Sequence, residues 1–285
     1  MTPVNTAAKM EHGWSEHRVL IWGKTYPELS RKYRETVCTG GTLEDGRFIR
    51  LYPIPLRYLS DDKVFSKYQW VQLRIRKAND DPRPESYKVD IASIKTEDTI
   101  PTDKHGWRVR AATVFKDSSY KFSSVEDLFK AREADGTSLG FVRPRSINEI
   151  VIENRPPEEY AEFMRKLRAN EERSRQASLF PGITVGELKK LQYVSQRFKI
   201  HWHCFGSGCK GHKMSILDWE AYELARREGM QKAEEKIEKL LNLTEYETGF
   251  FLGNFRQYPN TFAIGSIWYP KRPKKPATLD LFDQS

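Results

Sequence analysis

Val71-Gln72-Leu73-Arg74-Ile75-Arg76 alternates apolar and polar side chains with a period of two, the pattern of a strand that buries one face and wets the other. Trp107-Arg108-Val109-Arg110-Ala111 repeats the alternation and reads as a second such strand. Segments 19–22, 47–52, 87–94 and 147–152 read the same way. Turn chemistry separates them at Gly40-Gly41, Asp45-Gly46, Asp80-Asp81-Pro82 and Asp135-Gly136. One short helix, 125–132, interrupts the series, with Ser123 or Ser124 as its N-cap. Strands in this density predict a β-rich N-terminal domain, a curled sheet or a small barrel, over residues 1–155.

Beyond Pro156-Pro157 the pattern changes. Residues 158–175 form a charged helical stretch with Phe163, Met164 and Leu167 on one face, so 156–182 is expected to be a linker helix. Residues 183–270 then mix types. A helical segment (185–192), a strand (198–204), a glycine-rich knuckle (205–213), helices at 214–227 and 231–242, and strands at 248–255 and 261–269 follow in turn. The expected fold class is α+β, a β-rich N-terminal domain followed by a smaller α+β domain with a zinc knuckle. The proline-spaced basic run from Pro270 to Pro276 predicts a flexible tail over 271–285.

Composition narrows the function classes. The 285 residues are 38% hydrophobic and 31% charged, with a mean hydropathy of −0.70, which excludes a disordered chain and a transmembrane helix. Met1 to His17 carries no apolar segment between a basic start and a small-residue cleavage site. A cytoplasmic location is therefore expected, and three cysteines there argue against a disulfide framework. A net charge of +9 favours polyanionic partners. The basic residues concentrate where aromatics interleave: Lys189, Lys190, Arg197, Lys199, Lys210 and Lys213, with Tyr193, Phe198, Trp202 and Phe205 among them and no acidic residue between. If the two alternating strands are neighbours, Arg74, Arg76, Arg108 and Arg110 add a basic face, with Arg143 and Arg145 beside it. Solvated charge on a strand face is the plainer reading.

The segment His201-Trp202-His203-Cys204-Phe205-Gly206-Ser207-Gly208-Cys209-Lys210-Gly211-His212 carries the strongest local chemistry. Thiolates and imidazoles at short spacing suit a tetrahedral, borderline-soft ion such as zinc, and the glycines let the backbone wrap it. Cys204, Cys209 and His212 are the expected ligands. His203 is the candidate fourth, although strand alternation points it away from Cys204; Asp218 is another. Such a site is expected to be structural. A reduced glycine-rich turn is the alternative.

Asp218, Glu220 and Glu223 open the next helix. Acidic residues suit a helix N-terminus, and the same three suit a metal-dependent nuclease. Cys38, flanked by Gly40-Gly41, is expected to be a buried small residue rather than a nucleophile. Leu279-Asp280-Leu281-Phe282, and Gln176-Ala177-Ser178-Leu179-Phe180, each resemble the short peptide by which many bacterial DNA-processing proteins bind the sliding clamp. The resemblance implies a partner-binding tail through Leu279, Leu281 and Phe282. The first lacks the initial glutamine and the second the leucine at its second position.

The resulting expectation is a nucleic-acid-binding subunit, DNA before RNA, of a DNA-processing or defence assembly. The alternatives are the nuclease and a protein-interaction module that docks through Phe250, Phe251, Phe255, Trp268 and Tyr269.

Overall fold

The computed structural model of the chain describes residues 13–30, 33–178 and 191–273. It is mixed α+β, and its N-terminal part is a closed barrel. The strands are β1 (Ser15–Lys24), β2 (Glu28–Ser30), β3 (Arg34–Leu43), β4 (Phe48–Ile54), β5 (Gln69–Lys77), β6 (Ser86–Val89) and β7 (Lys95–Thr99). β1 pairs with both β3 and β5, so the order β1-β3-β4-β6-β5 closes on itself. All barrel pairings are antiparallel except β4 with β6, while β2 extends β3 and β7 flanks β5.

Closure follows from how β1 is written. Its Val19 and Ile21 enter the barrel core with Val71, Leu73 and Ile75 of β5, and Leu20 and Trp22 point outward into a second, aromatic core. A strand that is apolar on both faces must be covered on both. The Trp22 ring stacks on Phe251 at 4.4 Å and 10°. Its other neighbour is Gly40, where an added Cβ would lie 2.1 Å from the indole. Gly40-Gly41 is therefore not a turn. It is the clearance inside β3, a strand that the turn reading of these glycines hides.

A second correction concerns 107–111. Residues Lys104–Val114 form a helix, α1, started by Asp103, whose carboxylate accepts from Gly106 N at 2.6 Å. Gly106, Arg110 and Val114 are buried along one side, the spacing of a helix face rather than a strand.

The rest of the chain comprises β8 (Lys121–Phe122), α2 (Val125–Asp135), β9 (Leu139–Val142), β10 (Ser146–Asn154), α3 (Pro157–Ser178), β11 (Gln196–His203), β12 (His212–Ser215), α4 (Trp219–Glu228), α5 (Met230–Leu241), β13 (Gly249–Asn254) and β14 (Phe262–Trp268). Ser124 caps α2, its hydroxyl accepting from Asp127 N, as expected. The expected helix at 214–227 begins later, at Trp219, because Met214 lies in β12, paired with Ile200 of β11. Of the expected helical segment at 185–192, residues 185–190 lie outside the described residues, and 191–192 take no regular structure.

Two sheets organise these elements: an antiparallel β10-β11-β12, and β14-β13-β9-β8. The second joins strands from either side of residue 155. Phe250, Phe251 and Trp268 are at most 2% exposed within it, so three of the five aromatics of the alternative docking surface are interior, while Phe255 and Tyr269 are half-buried. Phe251 and Trp268 build the aromatic core against the outer wall of the barrel, and Phe250 packs with Trp202 behind them. Polar clasps tie the same junction: Arg50 Nη1 donates to Ser138 Oγ (2.8 Å), Ser138 Oγ donates to Glu85 Oε2 (2.6 Å), and Arg83 Nη1 donates to Asn254 O (2.8 Å). Among the described residues no helix is long and apolar enough to cross a membrane.

Candidate metal centre and charged surfaces

β11 places the cysteine knuckle. Phe198, Ile200 and Trp202 point inward and Arg197, Lys199, His201 and His203 outward, so the next residue, Cys204, turns into the core and is fully buried. The chain then folds back through a tight turn, Cys209 N donating to Gly206 O at 3.1 Å, and re-enters the sheet as β12. Gly211 has φ +94° and lies against the His203 ring, a place and a conformation that suit only glycine. Gly206 lies against Ser124 and Glu126, which lets the knuckle close on the first turn of α2.

Four groups converge there: Glu126, Cys204, Cys209 and His212, each offering one ligand atom, all within 4.8 Å of one another. His212 Nε2 is 3.2 Å from Cys204 Sγ and 3.3 Å from Cys209 Sγ. Cys204 Sγ is 3.2 Å from Glu126 Oε2. Cys209 Sγ also accepts from the backbone N–H of Cys204 and Gly211, both at 3.4 Å. Burial pushes the Cys204 thiol up to about 11, and burial lowers the His212 imidazole, leaving it neutral with a lone pair to give. A cation at the centre would displace the thiol protons.

Three of the four expected ligands are in this cluster. The fourth is Glu126, not His203 or Asp218. His203 faces away, its Nδ1 3.0 Å from Asn148 Oδ1. Glu126 lies 78 positions before Cys204 and no local spacing links them. Its only sequence signal is its place in the first turn after the Ser124 cap.

Asp218 is instead the N-cap of α4: its Oδ1 accepts from Glu220 N at 2.8 Å and Ala221 N at 3.2 Å. The side chain is buried beside Lys67, whose Nζ lies 3.9 Å from both Asp218 Oδ2 and Glu220 Oε2 and donates to Ile267 O at 3.0 Å. Burial raises the Asp218 carboxyl, with Lys67 opposing. Glu223 is pinned by Arg226 and Arg227. Among the described residues only the Glu126 cluster brings three or more such ligand groups together; Asp218, Glu220 and Glu223, the residues of the alternative nuclease reading, do not converge in this way. Cys38 lies within β3, where burial pushes its thiol up, which suits a packed residue and not a nucleophile.

The expected basic surfaces are largely satisfied from within. Arg197 pairs with Glu159 at 2.7 Å, and Lys199 and Lys213 share Glu153 at 2.6 and 2.8 Å, holding that carboxyl down at about 2. Lys210 is exposed, and so is Phe205, at 59%, in the same glycine-rich turn. Lys189 and Lys190 lie outside the described residues, as do Leu279, Leu281 and Phe282 of the tail.

The four-arginine face does not form. Arg74 and Arg76 are outward on β5, as alternation requires, with Arg74 paired to Asp90. Arg108 is exposed on α1, a helix. Arg110 is buried, donating to Ile100 O and lying 3.9 Å over the Tyr68 ring.

A search of curated proteins found no match. A family model described as a domain of unknown function (DUF8758) matches residues 15–116, the barrel with α1. A second, described as a domain of unknown function (DUF8757), matches residues 121–285, which include all four cluster residues. This second match covers more than half of the chain, which therefore belongs to the DUF8757 family.

Proposed function

We propose that the chain is a nucleic-acid-binding protein, DNA before RNA, whose knuckle is held in shape by a structural zinc ion. The observation that carries the first part is the barrel's connectivity. The order β1-β3-β4-β6-β5, closed on β1, with β4 and β6 as its parallel pair, is that of the oligonucleotide/oligosaccharide-binding barrel. A fold alone does not assign a function, so the supply of cations and aromatics must agree. It does at two places, the Phe205–Lys210 tip and the Trp14–Arg76 pair, where the guanidinium lies 4.9 Å over the indole.

The donor set supports zinc. Two thiolates, one imidazole and one carboxylate are ligands it takes, and Zn–S and Zn–N bonds of about 2.3 and 2.0 Å imply S···N edges of about 3.5 Å in a tetrahedron. The two S···N separations are 3.2 and 3.3 Å. Four protein ligands fill the coordination sphere, which suits a structural ion and leaves no open position for chemistry.

A role as a cytoplasmic subunit of a DNA-processing or defence assembly, docked on a sliding clamp through Leu279, Leu281 and Phe282, extends the same reading. The test is incubation of the full chain with end-labelled single- and double-stranded DNA and RNA, with magnesium or chelator, scoring shift and cleavage together. Shift without cleavage is expected. Magnesium-dependent cleavage would overturn the binding-subunit reading, and no interaction in low salt would leave protein docking in its place.

A further inference from the structure

One cleft in the barrel wall has the chemistry of a nucleotide site. It encloses about 510 Å³ where the start of β1, the end of β4, the β5–β6 turn and β6 meet. That volume lies within the ~300–1,000 Å³ usual for small-ligand sites. Two aromatic rings face it, Trp14 and Tyr33, 44% and 37% exposed. Pro53, Pro55, Val89 and Ile91 supply apolar wall.

The cations are arranged unequally around it. Lys88 is held by Asp80 at 2.8 Å, and Lys77 donates to Arg83 O and Pro84 O at 2.7 and 2.6 Å and lies 5.3 Å over the Tyr87 ring. Arg76 is exposed, lies 4.9 Å from the centre of the Trp14 ring, and makes no ion pair among the described residues. With no such pair, the Arg76 guanidinium offers an N–H fork that matches a phosphate.

We infer that this cleft holds one unpaired nucleotide of a single strand, its base among Trp14, Tyr33 and the proline wall and its phosphate on Arg76. The inference rests on the nucleic-acid reading above and names the site for it. A strand is favoured over a free mononucleotide because the cations stand on side chains at the rim. Among the described residues that line it there is no glycine-rich loop or α-helix N-terminus to enclose the phosphate, so affinity has to accumulate along neighbouring nucleotides.

The experiment is fluorescence anisotropy of labelled oligothymidylate and oligouridylate with the full chain, comparing wild type, Trp14→Ala, Trp14→Phe, Arg76→Gln and, as a remote control, Gln231→Ala on the exposed side of α5. Loss of one stacked base is expected to weaken binding about ten-fold in Trp14→Ala. Trp14→Phe should recover most of it, and Arg76→Gln should weaken binding and flatten the salt dependence by about 0.7 in log–log slope. Thermal melting checks that each variant folds, which the exposure of both side chains favours. The same losses on oligouridylate alone would support the site and make RNA its source. Wild-type binding that Trp14→Ala and Arg76→Gln leave unchanged would overturn the cleft while the nucleic-acid reading stands. No binding of either strand by wild type at low salt would overturn both.

Discussion

Glu126 decides whether the knuckle is a turn or a metal centre. Without a cation, the Cys204 thiol donates to the Glu126 carboxylate at 3.2 Å and the knuckle closes as a hydrogen-bonded turn; with one, both become ligands. Purified protein is therefore expected to carry about one equivalent of zinc by mass spectrometry. Cys204→Ser or Cys209→Ser should remove it and lower Tm by about 5 °C or more, whereas His203→Ala should leave the metal content unchanged. Zinc retained by both serine variants would contradict the assignment. Gly40 is a second residue whose identity is dictated by a neighbour. Gly40→Ala drives a methyl into the Trp22 ring and should cost about 2 kcal/mol or more in urea denaturation. An unchanged midpoint would mean that β3 and Trp22 are not packed this way.

At the scale of the element, α4 is positioned by a single side chain that answers two demands. Asp218 caps the helix and stands beside the buried Lys67 ammonium, so Asp218→Ala should cost about 3 kcal/mol, more than the ~1 kcal/mol of a cap alone. Asp218→Asn keeps the cap and should recover about a third of the loss. Equal losses in the two would show that capping contributes nothing.

The elements also show what a sequence discloses. β5, α2 and α5 were legible because each follows one period along its length, and β13 and β14 because each is a short, nearly continuous apolar run. β3 was not, because its glycines are explained only by a tryptophan in another strand. α1 was misread because five residues of alternation fit a strand, while Asp103 and the 106/110/114 spacing mark a helix. The cluster of possible ligand groups was partly legible for the same reason: Cys204, Cys209 and His212 are local in sequence, and Glu126 is brought in by tertiary structure. Charge was the least legible property. Arg197, Lys199 and Lys213 look like a phosphate-binding run until Glu153 and Glu159 are folded against them.

Over the whole molecule, the barrel and the remainder share one aromatic core and a set of polar clasps, so they should unfold together. Among the clasps, Arg83 reaches Asn254 O while held by Asp81 at 2.7 Å. Burial alone would raise the Asp81 carboxyl, but the hydrogen bonds from Arg83 bring it down to about 2, below its ordinary 3.8. Its contribution is then fully present above about pH 4 and is lost as pH falls toward 2, at most about 2 kcal/mol. Urea midpoints across that range, in wild type and Asp81→Asn, should converge at the acid end; parallel curves would contradict the clasp.

The same internal pairing bears on function. With Arg197, Lys199 and Lys213 neutralised, the proposed phosphate contacts come down to Arg76, Arg108 and Lys210, so binding should depend on salt only moderately. The direct measurement is the affinity of the full chain for single-stranded DNA over a salt series. About three phosphate contacts predict a log–log slope near −2. A slope near zero, or no binding at the lowest salt, would contradict the account.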